Sequence, residues 1–151
     1  MTDTNEKKAL VDIDRVARLV LGREGIEPEV CELSLTFMTP EGIRGLNREY
    51  RGRDAATDVL SFPMYESIEE VLEAVSASEA PVLLGDIVIC EEIAKRQAEK
   101  DWLSLEFMLA FLSVHGALHL LGYDHEKDED MRRMRAAEEE VLTELGYIKK
   151  Q

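Results

Sequence analysis

The sequence is short of basic residues, cysteine, histidine and long apolar runs, and each shortage narrows what the chain can be. Lysine and arginine total 18 against 32 aspartates and glutamates, a net charge of −14 over 151 residues. That balance argues against a conventional nucleic-acid binder, because phosphate attraction favours basic surfaces. The only cysteines, Cys31 and Cys90, form no C-x-x-C pair. Buried, reduced thiols are expected, which fits a cytoplasmic location. The start, M-T-D-T-N-E-K-K, has no apolar signal core, and the longest uncharged run, Phe107–Tyr123, is 17 residues, short of a membrane span. No membrane partner is expected. With 45% hydrophobic and 33% charged residues, residues 1–151 suit one domain with a sizeable core.

Periodicity then sketches the elements. Leu10, Ile13, Val16, Ala17 and Val20 predict a helix over residues 6–21 that stops at Gly22. Val30–Phe37 alternates as a half-buried strand does, with Cys31, Leu33, Leu35 and Phe37 on one side. Thr39-Pro40-Glu41 reads as cap, first turn and favourable acid of a helix through Ile43, Leu46 and Tyr50. Val59–Phe62 and Val82–Cys90 are apolar, β-branched runs suited to inner strands. Residues 66–80 are acidic and alanine-rich, a loop or a short surface helix. Glu91–Lys100 is a polar helix, and Leu103–Leu121 is apolar all round, the mark of a helix buried in the domain centre. Asp128–Leu145 is amphipathic and ends at Gly146. This order predicts an α+β fold, a small mixed sheet packed with helices.

All three histidines, scarce as they are, fall in one run, H-G-A-L-H-L-L-G-Y-D-H: His115, His119 and His125. Residues i and i+4 share one face of a helix, so His115 and His119 can present two imidazoles to one ion. His125 on a continuous helix would point about 240° away, at roughly 100° per residue. The helix must therefore stop and fold back, and Gly122 stands where a left-handed stop is needed. Three protein nitrogens with a fourth position open are the catalytic form of a zinc site. The spacing matches the metzincin proteases, H-E-x-x-H-x-x-G-x-x-H, except that Gly116 replaces the glutamate that serves them as general base. Amide hydrolysis is a poor fit without that acid.

The motifs resemble the YbeY endoribonucleases, metal-dependent proteins of ribosomal RNA maturation and ribosome quality control. The resemblance runs through L-N-R-E-Y-R-G-R-D at Leu46–Asp54, T-D-V-L-S-F-P at Thr57–Pro63, L-G-D-I-V-I at Leu84–Ile89 and the histidine run. It implies a metzincin-like arrangement with a buried central helix carrying two metal ligands. It also implies one Zn2+ held by His115, His119 and His125, with Arg51 as the catalytic arginine, a single-stranded ribosomal RNA substrate, and the ribosome or its proteins as partners. Arginine suits that role because its parallel N–H donors match phosphate oxygens and its charge never titrates away. Arg44, Arg48 and Arg53 lie nearby and read equally as a solvated, ion-paired face, with Arg53 a weaker candidate for backbone binding.

Several residues stay open on the sequence alone. Asp58, Asp86 and Asp124 are acids near the motifs without an assigned role. Tyr50 and Phe62 can stack on unpaired bases, although core packing is the simpler expectation for both. A second reading makes the protein a ribosome-assembly or interaction factor with a mainly structural metal. A third makes it a hydrolase of small amides or esters. Recruitment of Cys31 or Cys90 as a fourth ligand would favour a structural site.

Overall fold

A computed structural model describes residues 11–124 and 126–148. Helix α1 (Ile13–Arg23) leads through a 3-10 turn (Pro28–Val30) into β1 (Cys31–Phe37); α2 (Pro40–Arg51), β2 (Val59–Pro63), α3 (Ile68–Ala77) and β3 (Val82–Ile89) follow. The chain closes with α4 (Glu91–Lys100), α5 (Leu105–Leu120) and α6 (Asp128–Glu144). The fold is α+β, and the described residues form a mixed three-stranded sheet in the order β1-β3-β2. Strand β3 is central, parallel to β1 and antiparallel to β2.

The capping chemistry is local. The Thr39, Ser67 and Ser104 hydroxyls accept from the backbone N–H three residues on, opening α2, α3 and α5. Gly52, at φ 71°, closes α2 and turns the chain toward β2. The acidic stretch resolves as a short helix because Ser67 caps it and Val71 buries completely.

Helix α5 fills the middle of the molecule. Leu109, Leu118 and Leu120 are 0% exposed, each contributing roughly 1.5–3 kcal/mol on burial. The helix packs on α1, α4, α6, β2 and β3. On the sheet's other face, α2 covers a smaller cluster of Ile43, Val88 and Cys90, against which Leu60 and Phe62 pack. Among the described residues no single helix is long and apolar enough to cross a membrane.

Two expectations change. Helix α1 passes through Gly22 and ends at Arg23, and the left-handed residue is Gly25, at φ 75°. Residues 6–10 lie outside the described residues. Among the described residues β2 lies at the edge of the sheet, half-buried along most of its length, and not inside it. Its apolar side chains read as core, but the central place belongs to β3, whose Ile87 and Ile89 are wholly buried.

Candidate active site

The site is built where α5 ends. Gly122, at φ 96°, gives its N–H to the His119 carbonyl, and Tyr123 gives its N–H to the Leu118 carbonyl. This pair of bonds is a Schellman closure, and it reverses the chain directly after His119. A Cβ on Gly122 would press on the Ser67 backbone at 3.0 Å, so both conformation and space favour glycine. The reversal brings the Tyr123 carbonyl to 2.8 Å from His119 Nδ1. A carbonyl only accepts, so Nδ1 carries the proton and Nε2 keeps its lone pair.

His115 is held from further away. Its Nδ1 lies 2.7 Å from Glu138 Oε2 on α6, and its ring stacks on Phe111 with centroids 5.9 Å apart. Glu138 is only 7% exposed, and a buried carboxylate needs such a donor. The carboxylate fixes the same tautomer in this ring. With both rings neutral, both Nε2 atoms present lone pairs, and they stand 3.1 Å apart. Two nitrogens bound to one tetrahedral zinc at ~2.0–2.1 Å would stand about 3.3 Å apart. The donor set fits a shared cation. Orientation of a ligand imidazole through its other nitrogen is the usual support for such a site. Among the described residues no group of three or more His, Cys, Asp or Glu forms a metal cage, and His125 lies outside those residues.

Gly116 explains why the proteases' glutamate has no counterpart. A Cβ there would lie 2.8 Å from Ile87 Cγ2, and Ile87 is wholly buried in the central strand. Here α5 is pressed onto the sheet, so a side chain at position 116 meets Ile87 at its first carbon. The cleft, about 1020 Å3, is bordered by His115, His119, Arg51, Asp58, Glu66 and Asp124 among others.

Arg51 is the last residue of α2. It donates to the Ser61 carbonyl on the outer edge of β2, and its guanidinium carbon sits 5.5 Å over the Phe62 ring. Neither partner carries charge, so the cation is positioned without being neutralised. Arg44 contrasts with it. It forms a forked pair with Asp54 at 2.7 and 3.1 Å, and Arg48 approaches the same carboxylate at 3.7 Å. The forked hydrogen bond from Arg44 is what holds the Asp54 carboxyl below the usual carboxylate range. Arg53 makes no ion pair among the described residues and does not border the cleft.

The open acids separate. Asp58 and Asp124 border the cleft. The Asp124 carboxylate also accepts the Glu126 N–H at 3.3 Å, as a turn residue does. Asp86 takes the Ser34 hydroxyl and pairs across from Phe62, on the sheet face away from α5. Both cysteines are buried free thiols. Neither borders the cleft, and burial pushes the Cys31 thiol up. Sequence reasoning missed Glu138. The signal was present: Met134, Ala137, Val141 and Leu142 are the buried stripe of α6, and position 138 falls on it. Tyr50 also departs from expectation. It is 61% exposed, not packed in the core. The buried stripe of α2 is deep at Ile43, 0% exposed, and has run out by the last turn.

Comparison with known proteins adds to this geometry. The family profile described as Endoribonuclease YbeY matches residues 2–146. The Endoribonuclease YbeY of Oceanobacillus iheyensis is 47% identical over 134 residues, covering 89% of this chain and 86% of that protein. The protein of the same name from Geobacillus kaustophilus is 46% identical over 151 residues, covering 99% and 96%. Among solved structures, the solution structure of TM1509 from Thermotoga maritima superposes with a TM-score of 0.58 at 26% identity, over 91% of this chain and 84% of that one.

Proposed function

The chain belongs to the YbeY endoribonuclease family, and from that membership we propose that it cleaves single-stranded ribosomal RNA at a metal site made by His115, His119 and His125. It is a hydrolase acting on phosphodiester bonds. The observation that carries the metal is the convergence of the His115 and His119 Nε2 atoms, 3.1 Å apart, with both Nδ1 atoms committed elsewhere. Zinc is the proposed ion, because imidazoles without a carboxylate suit it, and nickel, copper or iron share that preference. When bound, the metal supplies Lewis acidity at an open position.

The chain's own groups do the rest. Glu138 and the Tyr123 carbonyl hold the two imidazoles in one tautomer, so neither ring has to turn when a ligand arrives. Arg51, fixed by Ser61 and Phe62, directs its remaining N–H donors at the phosphate, where charge grows during displacement. Its partners are neutral, so that charge is undiminished.

The proposed setting is ribosomal RNA maturation and ribosome quality control in the cytoplasm. The net charge of −14 supports contact with basic ribosomal proteins. One observation favours the second reading, an assembly factor with a structural metal: among the described residues, Asp58, Glu66, Asp124 and Glu126 border the cleft with Arg51 as the cation.

Cleavage of a labelled, unstructured RNA by metal-replete protein decides between them. A chelated sample and the His119→Ala variant run alongside. Loss in both establishes the metal-dependent ribonuclease. Equal cleavage in all three identifies a contaminating nuclease. No cleavage with metal bound favours the assembly factor.

A further inference from the structure

Among the described residues the cleft has little positive charge with which to hold RNA by its phosphates. Four described carboxylates border it against Arg51, and Arg44 and Arg48 are turned to Asp54. A ligand with a charged backbone must therefore be gripped by something other than charge. Two rings outside the cleft lining, next to Arg51 at the end of α2, offer such a grip. Tyr50 is 61% exposed, and its ring meets Phe62 edge to face, centroids 5.5 Å apart at 74°. A T-shaped contact uses at most one face of each ring, so Tyr50 keeps a face open to solvent. The same Phe62 ring lies 5.5 Å beneath the Arg51 guanidinium. One half-buried phenylalanine thus touches both an exposed aromatic and the arginine that borders the cleft.

We propose that Tyr50, seated on Phe62 beside Arg51, is a stacking platform for one unpaired nucleobase next to the phosphate that Arg51 engages. The proposal rests on the RNA-cleaving reading above and gives it a source of single-strand selectivity. Bases in a duplex are stacked between their neighbours and have no free face for the ring, whereas an unpaired base can turn out onto it. Stacking also tolerates any base, so the platform selects for strand state and not for sequence.

The test is binding, measured by fluorescence anisotropy with the full chain and a labelled single-stranded oligoribonucleotide. Tyr50→Ala should weaken binding by about tenfold or more, and Tyr50→Phe should bind as the native protein does. Oligonucleotides carrying one abasic position, scanned along the strand, should reveal a position that costs the native protein about tenfold and costs Tyr50→Ala nothing further. Trp102→Ala, which removes an exposed aromatic away from the cleft, should change nothing. Native-strength binding by folded Tyr50→Ala overturns the platform. So does a loss at the sensitive abasic position that adds fully to the loss from Tyr50→Ala. Binding does not require cleavage, so a native protein that binds through Tyr50 but cuts nothing would keep the platform and remove the nuclease reading.

Discussion

Arg44 and Arg51 sit on one helix, two turns apart, and the structure treats them in opposite ways. Arg44 closes on Asp54 in a forked ion pair with both side chains half in water. Arg51 is held as firmly, but by a backbone carbonyl and an aromatic ring. Exposed ion pairs contribute little to stability, and a paired arginine has less charge to offer a ligand. A cation positioned by neutral groups is poised for an anion that comes from outside. The histidines follow the same logic, since each ring is fixed through Nδ1 while Nε2 faces the cleft.

The sharpest way to break this contrast is Arg51→Lys. It keeps the charge but loses the planar fork that matches phosphate oxygens, so turnover of unstructured RNA should fall by about 100- to 1000-fold. Metal content, read by elemental analysis, should not change, and full activity would remove Arg51 from the mechanism. Next comes Glu138→Gln, which preserves shape but removes the charge facing His115. Metal affinity should fall about 10- to 100-fold in a competitive chelator titration, with native circular dichroism. Unchanged affinity would reduce Glu138 to a packing residue. Phe62→Leu should cost severalfold in activity, because cation–π support worth about 0.5–1 kcal/mol at exposed sites is lost. A native rate in that variant would mean that the Ser61 carbonyl alone positions Arg51.

The smallest effect belongs to Arg44→Ala. Activity should stay native, and melting at neutral pH should move by about a degree or less. The sign of its pH dependence is fixed. Asp54 has its folded pKa lowered by Arg44, so the pair stabilises above the ordinary aspartate value of about 3.9 and the contribution is lost as pH falls through the lower folded value. Melts of native and Arg44→Ala protein should differ at neutral pH and coincide in strong acid. A large activity loss here would collapse the distinction between the two arginines.

Legibility followed the range of the interaction. Elements set by their own side chains were readable: α5 from apolar residues on every side, α2 from Thr39-Pro40, and the stop at Gly122 from the need to return the chain after His119. Features set by distant partners were not. The edge position of β2 depends on which strand β3 pairs with on its other side. Exposure of Tyr50 depends on how far α2 stays covered by the sheet. Glu138 was hidden inside a Glu-Glu-Glu run, where charge suggests solvent and only the stripe of Met134, Ala137 and Val141 marks one of the three as buried. His119 was therefore easier to understand than His115. Its anchor is four residues away in sequence, and the other's is 23.

Gly116 has one more consequence. The protease-like run H-E-x-x-H differs from this one at position 116 alone, a single substitution of glycine by glutamate. In the folded molecule the two are separated by a wall, because any side chain at 116 runs into Ile87 in the middle of the sheet. Acquiring that glutamate would first require a wider gap between helix and strand, and with it new residues along β3 and α5 together. Likeness in the histidine spacing thus conceals a barrier to exchange of residues, and the thickness of one helix–sheet contact keeps the two motifs apart.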